Sequence, residues 1–190
     1  MRGFCAHVAI DHLGSCPLSK VSAITIVNND DAFECYQATL AEVSADNHQR
    51  GLASCDRAIE EVGDDRHLHA ALLVNRADIR LMMQDYARTV ADATASIEIE
   101  GQSPVAYLNL GAGLVGLRRY REALTALEKA IELGIADRSY LAYYNRAIAR
   151  EQLGDTSGAY YDYKKVLELN PDFAPAKDQL SRFRVITKSN

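Results

Sequence analysis

Residue types that could carry catalysis or bind a metal are few in this chain, and their spacing matches no recognised catalytic motif. The five histidines are His7, His12, His48, His67 and His69. None lies in an HExxH arrangement, and the last two, beside Asp64 and Asp65, have too few partner ligands for a zinc site. GxGxxG, GxxxxGKS/T and GxSxG motifs are missing, and Gly111-Ala112-Gly113 falls inside a predicted helix rather than after a strand. The sequence therefore predicts no enzyme activity, no cofactor and no metal site.

Composition narrows the class of protein further. The 190 residues carry a formal net charge of −5, and 48% of them are apolar, which is ordinary for one globular domain. An acidic chain lacks the basic surface that nucleic-acid binding requires, so we expect no nucleic-acid partner. No apolar run approaches the roughly 20 residues of a membrane-spanning helix. We therefore expect no membrane span.

The N-terminal region resembles an export signal only in part. Residues 4–10 (FCAHVAI) form an apolar stretch after Arg2, but Asp11 interrupts it early. Leu13-Gly14-Ser15-Cys16 is weakly similar to a lipoprotein cleavage site, without a proper apolar segment before it. We therefore expect a cytoplasmic protein. Export to the periplasm is the alternative, and it would require a mis-set start site.

One short motif returns three times and reveals an internal repeat. It reads Asn75-Arg76-Ala77, Asn109-Leu110-Gly111 and Asn145-Arg146-Ala147, at steps of 34 and 36 residues. Two further columns keep the same steps: Thr89, Ala123 and Ala159, and then Ile97, Ile131 and Leu167. Three columns that share one period predict a repeat architecture.

Each period contains two amphipathic helical segments joined by a short turn. In one copy we predict helices over residues 105–117 and 122–133, with the turn at residues 118–120 and a stop at Gly134. The next copy turns at residues 153–155 and ends at Asn170-Pro171. Small residues stand where the two helices must touch, because closely packed antiparallel helices need short side chains at the contact. The expected contact pairs are Thr39/Gly51, Ala77/Thr89, Gly111/Ala123 and Ala147/Ala159.

This pattern resembles the tetratricopeptide repeat, a helix–turn–helix unit of about 34 residues. The copy from Tyr140 to Pro171 is the most similar, and the chain looks like a small bacterial member of the family. Its family positions are held by Tyr143, Ala147, Leu153-Gly154-Asp155, Ala159, Tyr163 and Pro171. The resemblance implies an all-α, right-handed superhelical solenoid that ends in a C-terminal capping helix.

The resemblance also divides the chain into units. Residues 1–31 form an N-terminal extension, partly disordered, with an extended segment at residues 22–27. Residues 32–173 hold about four repeats: a degenerate one at 32–69, then 70–103, 104–139 and 140–173. Residues 174–187 form the capping helix, whose apolar positions Phe173, Ala176, Leu180 and Phe183 recur at helical spacing.

The family implies a non-enzymatic scaffold that binds a protein or peptide in a concave groove lined by the first helix of each repeat. Carried over by position, the groove residues are Val74, Asn75, Asp78, Leu108, Asn109, Ala112, Tyr144, Asn145 and Ile148. Three of these form an asparagine ladder whose amides can donate and accept hydrogen bonds.

The predicted groove is mainly apolar, and it lacks the cations of the chaperone-binding members. Those members clamp a terminal carboxylate, whereas the corresponding columns here hold Val74, Val105, Leu141 and Asn145. An acidic chaperone tail is therefore not the expected ligand. An exposed apolar surface is normally a binding site or is covered. The alternative to a partner is thus a self-associating structural subunit whose groove is covered by its own residues 21–27 or by another copy.

Cys35 and Cys55 occupy positions at which a disulfide is geometrically plausible. Cys35 lies four positions before Thr39, and Cys55 lies four positions after Gly51. Because the two helices are antiparallel, the cysteines should face each other one helical turn away from that contact pair. A bridge there would stabilise the degenerate repeat and would imply an oxidising compartment. Two reduced, buried cysteines are an equally weighted interpretation.

Two of the repeats share a polar pattern that the third lacks. Arg76 and Arg80 face Asp92 on the partner helix. The equivalent set in the last repeat is Arg146, Arg150 and Asp162, whereas the repeat between them has Leu110, Leu114 and Ala126. We interpret the set as an ion pair within the protein rather than as a ligand site.

Overall fold

The computed structural model describes residues 30–40 and 45–183, and every regular element in these ranges is an α-helix. In chain order the helices are α1 (Asp30–Gln37), α2 (Ala45–Glu61), α3 (Arg66–Met82), α4 (Tyr86–Ile99), α5 (Pro104–Gly116), α6 (Tyr120–Leu133), α7 (Ser139–Gln152), α8 (Thr156–Leu169) and α9 (Ala174–Ser181). The predicted extended segment at residues 22–27 and the last residues of the predicted cap lie outside the described ranges.

The helices pack in pairs, and the pairs stack in sequence order. The pairs are α1 with α2, α3 with α4, α5 with α6, and α7 with α8. Each pair contacts the next through its second helix, and α9 packs on α8. The first helices also touch along the stack, α3 with α5 and α5 with α7. The described residues thus form an all-α helical repeat solenoid, which confirms the predicted fold class.

Side-chain caps define where four of the helices begin. The carboxylates of Asp65, Asp85 and Asp155 each accept a hydrogen bond from the backbone N–H three residues on, and Ser103 does the same through its hydroxyl. These bonds satisfy donors that the first helical turn leaves unpaired. Pro104 follows Ser103 in the first turn of α5, where its missing N–H is not needed.

The turns inside the pairs need a residue with positive φ at one position. Gly154 supplies it between α7 and α8, with φ of 86°. The equivalent turns use Gln84 and Arg118, both with φ of 61°. Such a conformation is easy for glycine and strained for residues with a Cβ. Gly134, at φ of 80°, ends α6 as predicted.

Small residues allow the two helices of a pair to approach closely, although at Gly51 and Gly111 the nearest neighbour differs from the predicted partner. A Cβ on Gly111 would lie 2.4 Å from Cγ of Leu127, so the nearest neighbour is Leu127 rather than Ala123. A Cβ on Gly51 would lie 2.1 Å from Cβ of Ala38. The predicted partner Thr39 lies in the turn after α1, because α1 ends at Gln37, and its hydroxyl donates to the Tyr36 carbonyl.

The core runs along the stack as connected clusters of buried apolar side chains. The first repeat contributes mainly alanine and cysteine, with Leu72 and Ile79 entering from α3. At the other end, α9 covers the last pair with Phe173 and Leu180 on either side of the buried Ala176. Covering the last apolar surface in this way is the role of a capping helix in a solenoid.

Candidate functional site

The first helices α3, α5 and α7 carry the nine predicted groove residues, and the structure divides these residues into two groups. One group is partly exposed and comes from the outer helices α3 and α7: Val74, Asn75, Tyr144, Asn145 and Ile148. The other is buried and includes all three residues from α5: Asp78, Leu108, Asn109 and Ala112. The accessible part of the predicted groove therefore lies on α3 and α7, on either side of a buried central helix.

The three ladder asparagines have different surroundings. Asn109 is 1% exposed, and its Nδ2 donates to the Val74 carbonyl of the preceding repeat at 3.3 Å. Its buried Oδ1 accepts no hydrogen bond from the described residues. Asn145 is partly exposed and donates to the Leu141 carbonyl one turn earlier at 2.9 Å. Asn109 thus ties α5 to α3, while Asn75 and Asn145 are the two ladder members that solvent reaches.

An ion pair that the sequence did not reveal joins the two ends of this surface. Arg138, immediately before α7, donates to both carboxylate oxygens of Asp78 on α3, at 3.0 and 3.2 Å. The two residues are 60 positions apart, and α5 packs between their helices. The Asp78 side chain is 6% exposed and that of Arg138 is 40% exposed. Arg138 lies between two repeats and outside the repeated columns, so the spacing of the motif did not identify it.

The electrostatics of this pair favour the charged state of the arginine. Burial alone would lower the pKa of Arg138, but the attraction of the Asp78 carboxylate and its hydrogen bonds outweigh burial and raise the pKa. Asp78 in turn balances the positive charge of Arg138. The cation beside the predicted groove is therefore already neutralised within the protein.

Aromatic side chains close the C-terminal end of the same surface. The Tyr144 ring lies 5.0 Å from Phe173 and 5.8 Å from Tyr163, and Tyr140 also contacts Phe173 at 5.2 Å between centroids. Burial, and then the nearby carboxylates of Asp178 and Glu151, raise the pKa of Tyr144. The phenol of Tyr144 consequently stays neutral and presents an apolar face with a polar tip.

Comparison with protein-family models identifies repeats in the same part of the chain. Family models described as tetratricopeptide repeat match residues 104–133 and residues 140–173. This chain therefore contains tetratricopeptide repeats (TPRs). The predicted family is confirmed, whereas a bacterial origin stays a prediction. No curated protein matches the chain.

Several solved TPR structures share the fold at low identity. A thermophilic TPR protein from Thermus thermophilus is 17% identical with a TM-score of 0.63, over 79% of each chain. The Arabidopsis OM64 TPR domain is 23% identical with a TM-score of 0.58, over 63% of this chain and 97% of that one. The first TPR of Spaghetti (RPAP3), solved with an HSP90 peptide, is 24% identical with a TM-score of 0.54, over 60% and 88%.

The first TPR is closed by the predicted disulfide. Cys35 on α1 and Cys55 on α2 are bonded, with an S–S distance of 2.14 Å and 4.7 Å between their Cα atoms. Both residues are fully buried. Their neighbours Ala32, Ala38 and Ala58 are small. Polar contacts also join the two helices, because Arg57 donates to Asp31 and Ser54 donates to Glu34.

The second and fourth TPRs contain the predicted arginine–aspartate sets. Arg76 and Arg146 bind Asp92 and Asp162 through the same pair of nitrogens, each at 2.9 and 2.7 Å. Arg80 and Arg150 add a further hydrogen bond to the same carboxylates. Both aspartates are buried. Burial would lower the pKa of Arg76 and of Arg146, but the hydrogen bonds to aspartate outweigh it and raise both values. The interpretation as ion pairs within the protein is confirmed.

Neither a membrane-spanning helix nor a metal-binding cluster occurs within residues 30–40 and 45–183. None of the helices there is both long and apolar enough to cross a bilayer. No group of three or more His, Cys, Asp or Glu side chains in these ranges is arranged to hold a metal ion. His67, near the start of α3, contacts Glu100, which directly follows α4.

Proposed function

We propose that this TPR protein is a non-enzymatic scaffold that binds a protein or peptide segment along the face formed by α3, α5 and α7. The observation that carries the proposal is the row of partly exposed groove residues on α3 and α7 described above. Helices held at fixed spacing by a stack of repeats offer a rigid, extended surface of the kind that repeat proteins use for binding. One structural neighbour, the first TPR of Spaghetti, is bound to a peptide.

The chemistry of the face suggests an uncharged, mainly apolar ligand. Val74, Tyr144 and Ile148 supply apolar contact, and Asn75 and Asn145 supply amides for a peptide backbone. Because Asp78 already pairs with Arg138, an acidic tail would have to compete with a buried carboxylate for this cation. The net charge of −5 adds a further penalty for acidic partners and for nucleic acid. We therefore propose neither an acidic chaperone tail nor nucleic acid as the ligand.

A peptide library displayed on phage tests this proposal directly. We expect the wild-type chain to enrich uncharged apolar sequences. The best of these is then labelled and measured by fluorescence polarisation, and it should bind the Asn75→Ala/Asn145→Ala variant about 10-fold more weakly than the wild type. Two hydrogen bonds of about 1 kcal/mol each are lost, and new hydrogen bonds to water recover part of that free energy. Glu98→Ala/Glu168→Ala, on the second helices α4 and α8, is the matched control and should bind within twofold of wild type.

Three outcomes would contradict the proposal. One is that no peptide is enriched, and another is that both double variants bind equally well. The third is self-association: a sedimentation coefficient that rises with protein concentration, and a labelled peptide that binds only to dilute protein, would support a structural subunit instead. The same result in a chain lacking residues 1–29 would show that another copy, rather than residues 21–27, covers the face.

A further inference from the structure

A cleft lies on the opposite face of the solenoid from the proposed peptide site. It runs between the second helices α4 and α6 over the outer side of α5, and its volume is about 720 Å³. Its floor is apolar: Val90 from α4, Leu110 and Leu114 from α5, and Ala126 from α6. The volume falls in the range of pockets that hold small ligands or a few side chains.

The repeats themselves explain why the cleft occurs in the third TPR. The columns occupied by Leu110, Leu114 and Ala126 hold arginine, arginine and aspartate, respectively, in the second and fourth TPRs. There, Arg76 and Arg146 occupy the column of Leu110, and their guanidinium groups bind a buried carboxylate. Leucine is shorter than arginine and makes no such bridge, so the third TPR leaves an apolar cavity where its neighbours have an ionic cluster.

The rim of the cleft favours an uncharged occupant. Arg119 pairs with Glu122 at 2.6 Å, and Lys129 pairs with Glu132 at 3.0 Å, while Glu128 adds one more carboxylate to the rim. An acidic segment would therefore be repelled by the excess of carboxylates, and any charged segment would lose hydration on entering the cleft. An apolar segment would instead remove the apolar floor from water.

The chain contains one segment with the matching chemistry and enough reach. Residues 4–10 (FCAHVAI) include no Asp, Glu, Lys or Arg, and Ile10 lies 20 positions before Asp30, where α1 begins. Twenty extended residues span up to about 65 Å. The path from α1 to the cleft crosses two repeats. If each repeat advances the stack by about one helix diameter, this path is roughly 20 Å long. Residues 21–27 are also uncharged, but Val27 lies only three positions before Asp30, about 10 Å at full extension, so the whole segment cannot lie in the cleft.

We infer that residues 4–10 bind in the α4–α6 cleft of the same molecule and cover its apolar floor. The cleft is then a second binding site, separate from the proposed peptide face, with an occupant tethered to it by the chain. Tethering raises the effective concentration of the segment, so a small apolar contact suffices to hold it. A partner segment of the same chemistry would have to displace it.

Photo-crosslinking of the full chain tests this inference. The reactive amino acid p-benzoyl-phenylalanine replaces Thr94, an exposed residue at the rim, and mass spectrometry maps the products. We expect crosslinks within one molecule to residues 4–10. Asp56 is the matched control, because it occupies the same column beside Arg76, where the equivalent space is filled. Crosslinks to residues 4–10 from position 56 should be at least 10-fold fewer.

Two variants separate binding in the cleft from chance contact. Phe4→Asp/Val8→Asp changes only the segment, so the folded repeats stay intact, and the crosslinks from position 94 should fall at least 10-fold. Leu110→Arg/Leu114→Arg/Ala126→Asp fills the cleft as the second and fourth TPRs do, and should abolish them. Three results would each overturn the inference. They are undiminished crosslinks in Phe4→Asp/Val8→Asp, crosslinks that join two molecules, and crosslinks to residues 21–27 alone. Complete lack of crosslinks to residues 4–10 would do the same.

Discussion

At the scale of single residues, the disulfide between Cys35 and Cys55 has a large expected effect on stability. It joins two helices whose buried apolar contacts are mainly alanine, and it closes a loop with a sequence separation of 20. For a loop of this length, the lost entropy of the unfolded chain stabilises the fold by about 3 kcal/mol. We expect Cys35→Ala/Cys55→Ala to lower the free energy of unfolding by about that amount in urea denaturation without reductant.

The control for this prediction is the wild-type protein in dithiothreitol, which should match the double variant. Thiol titration of the unfolded chain, which has four cysteines, should find at least two fewer thiols before reduction than after it. Four thiols before reduction would show that the bridge is not formed and would favour a reducing compartment.

The Asp78–Arg138 pair permits a second prediction at this scale, because its two partners are buried to different degrees. The side chain of Asp78 is 6% exposed, whereas that of Arg138 is 40% exposed. Arg138→Ala leaves a buried carboxylate without its cation and should cost about 3 kcal/mol, whereas Asp78→Asn leaves an arginine that water can reach and should cost about 1 kcal/mol. Chemical denaturation of the two variants measures both values, and equal losses would contradict the assigned burial.

At the scale of helices and turns, one backbone position distinguishes the repeats. Arg118 adopts φ of 61° in the turn between α5 and α6, where the fourth TPR has Gly154 at 86°. The left-handed conformation costs a non-glycine residue roughly 1–2 kcal/mol, and substitution by glycine removes this cost. Glycine also makes the unfolded chain more flexible, which cancels part of the stabilisation. We expect Arg118→Gly to raise the free energy of unfolding by about 0.5 kcal/mol and Gly154→Ala to lower it by about 1 kcal/mol. A change of the same sign in both variants would argue against this account.

The helices themselves were largely predictable from the sequence, because their signals are local. The predicted helix over residues 122–133 lies within α6 (Tyr120–Leu133), and Gly134 ends it. The prediction of Thr39 opposite Gly51 failed because it extended the column spacing of the later repeats into a first helix that ends at Gln37. Local patterns specify a helix well, but they do not specify which of two adjacent small residues makes the closest contact.

At the scale of the whole molecule, the stack should lose stability from its ends. Phe173 contacts both Tyr140 and Tyr144 and joins α9 to the last pair of helices. Because each repeat contacts only its neighbours, Phe173→Ala should loosen α7, α8 and α9 with little effect on α3 and α4. We expect a loss of about 2 kcal/mol, since the ring is partly exposed.

Hydrogen exchange measured by mass spectrometry tests this gradient. Protection in the peptides of α7 and α8 should fall by roughly 30-fold, the factor that corresponds to about 2 kcal/mol. Phe33→Ala, at a ring that is 44% exposed on α1, is the matched control and should leave those peptides unchanged. A uniform loss of protection from α3 to α9 would indicate one cooperative unit rather than a stack of repeats.

The sequence by itself determined the repeat period, the helix pairs and the two arginine–aspartate sets, and it placed Cys35 opposite Cys55 without deciding whether the two are bonded. These features depend on spacing within one helix or across one antiparallel pair, and a repeat of about 34 residues reports that spacing directly. Only the tertiary structure decided that Leu108, Asn109 and Ala112 are buried, that Arg138 reaches Asp78, and that the third TPR has an open cleft. Each of these depends on how successive repeats are rotated and stacked, and that rotation arises from contacts between repeats rather than from the spacing within any one of them.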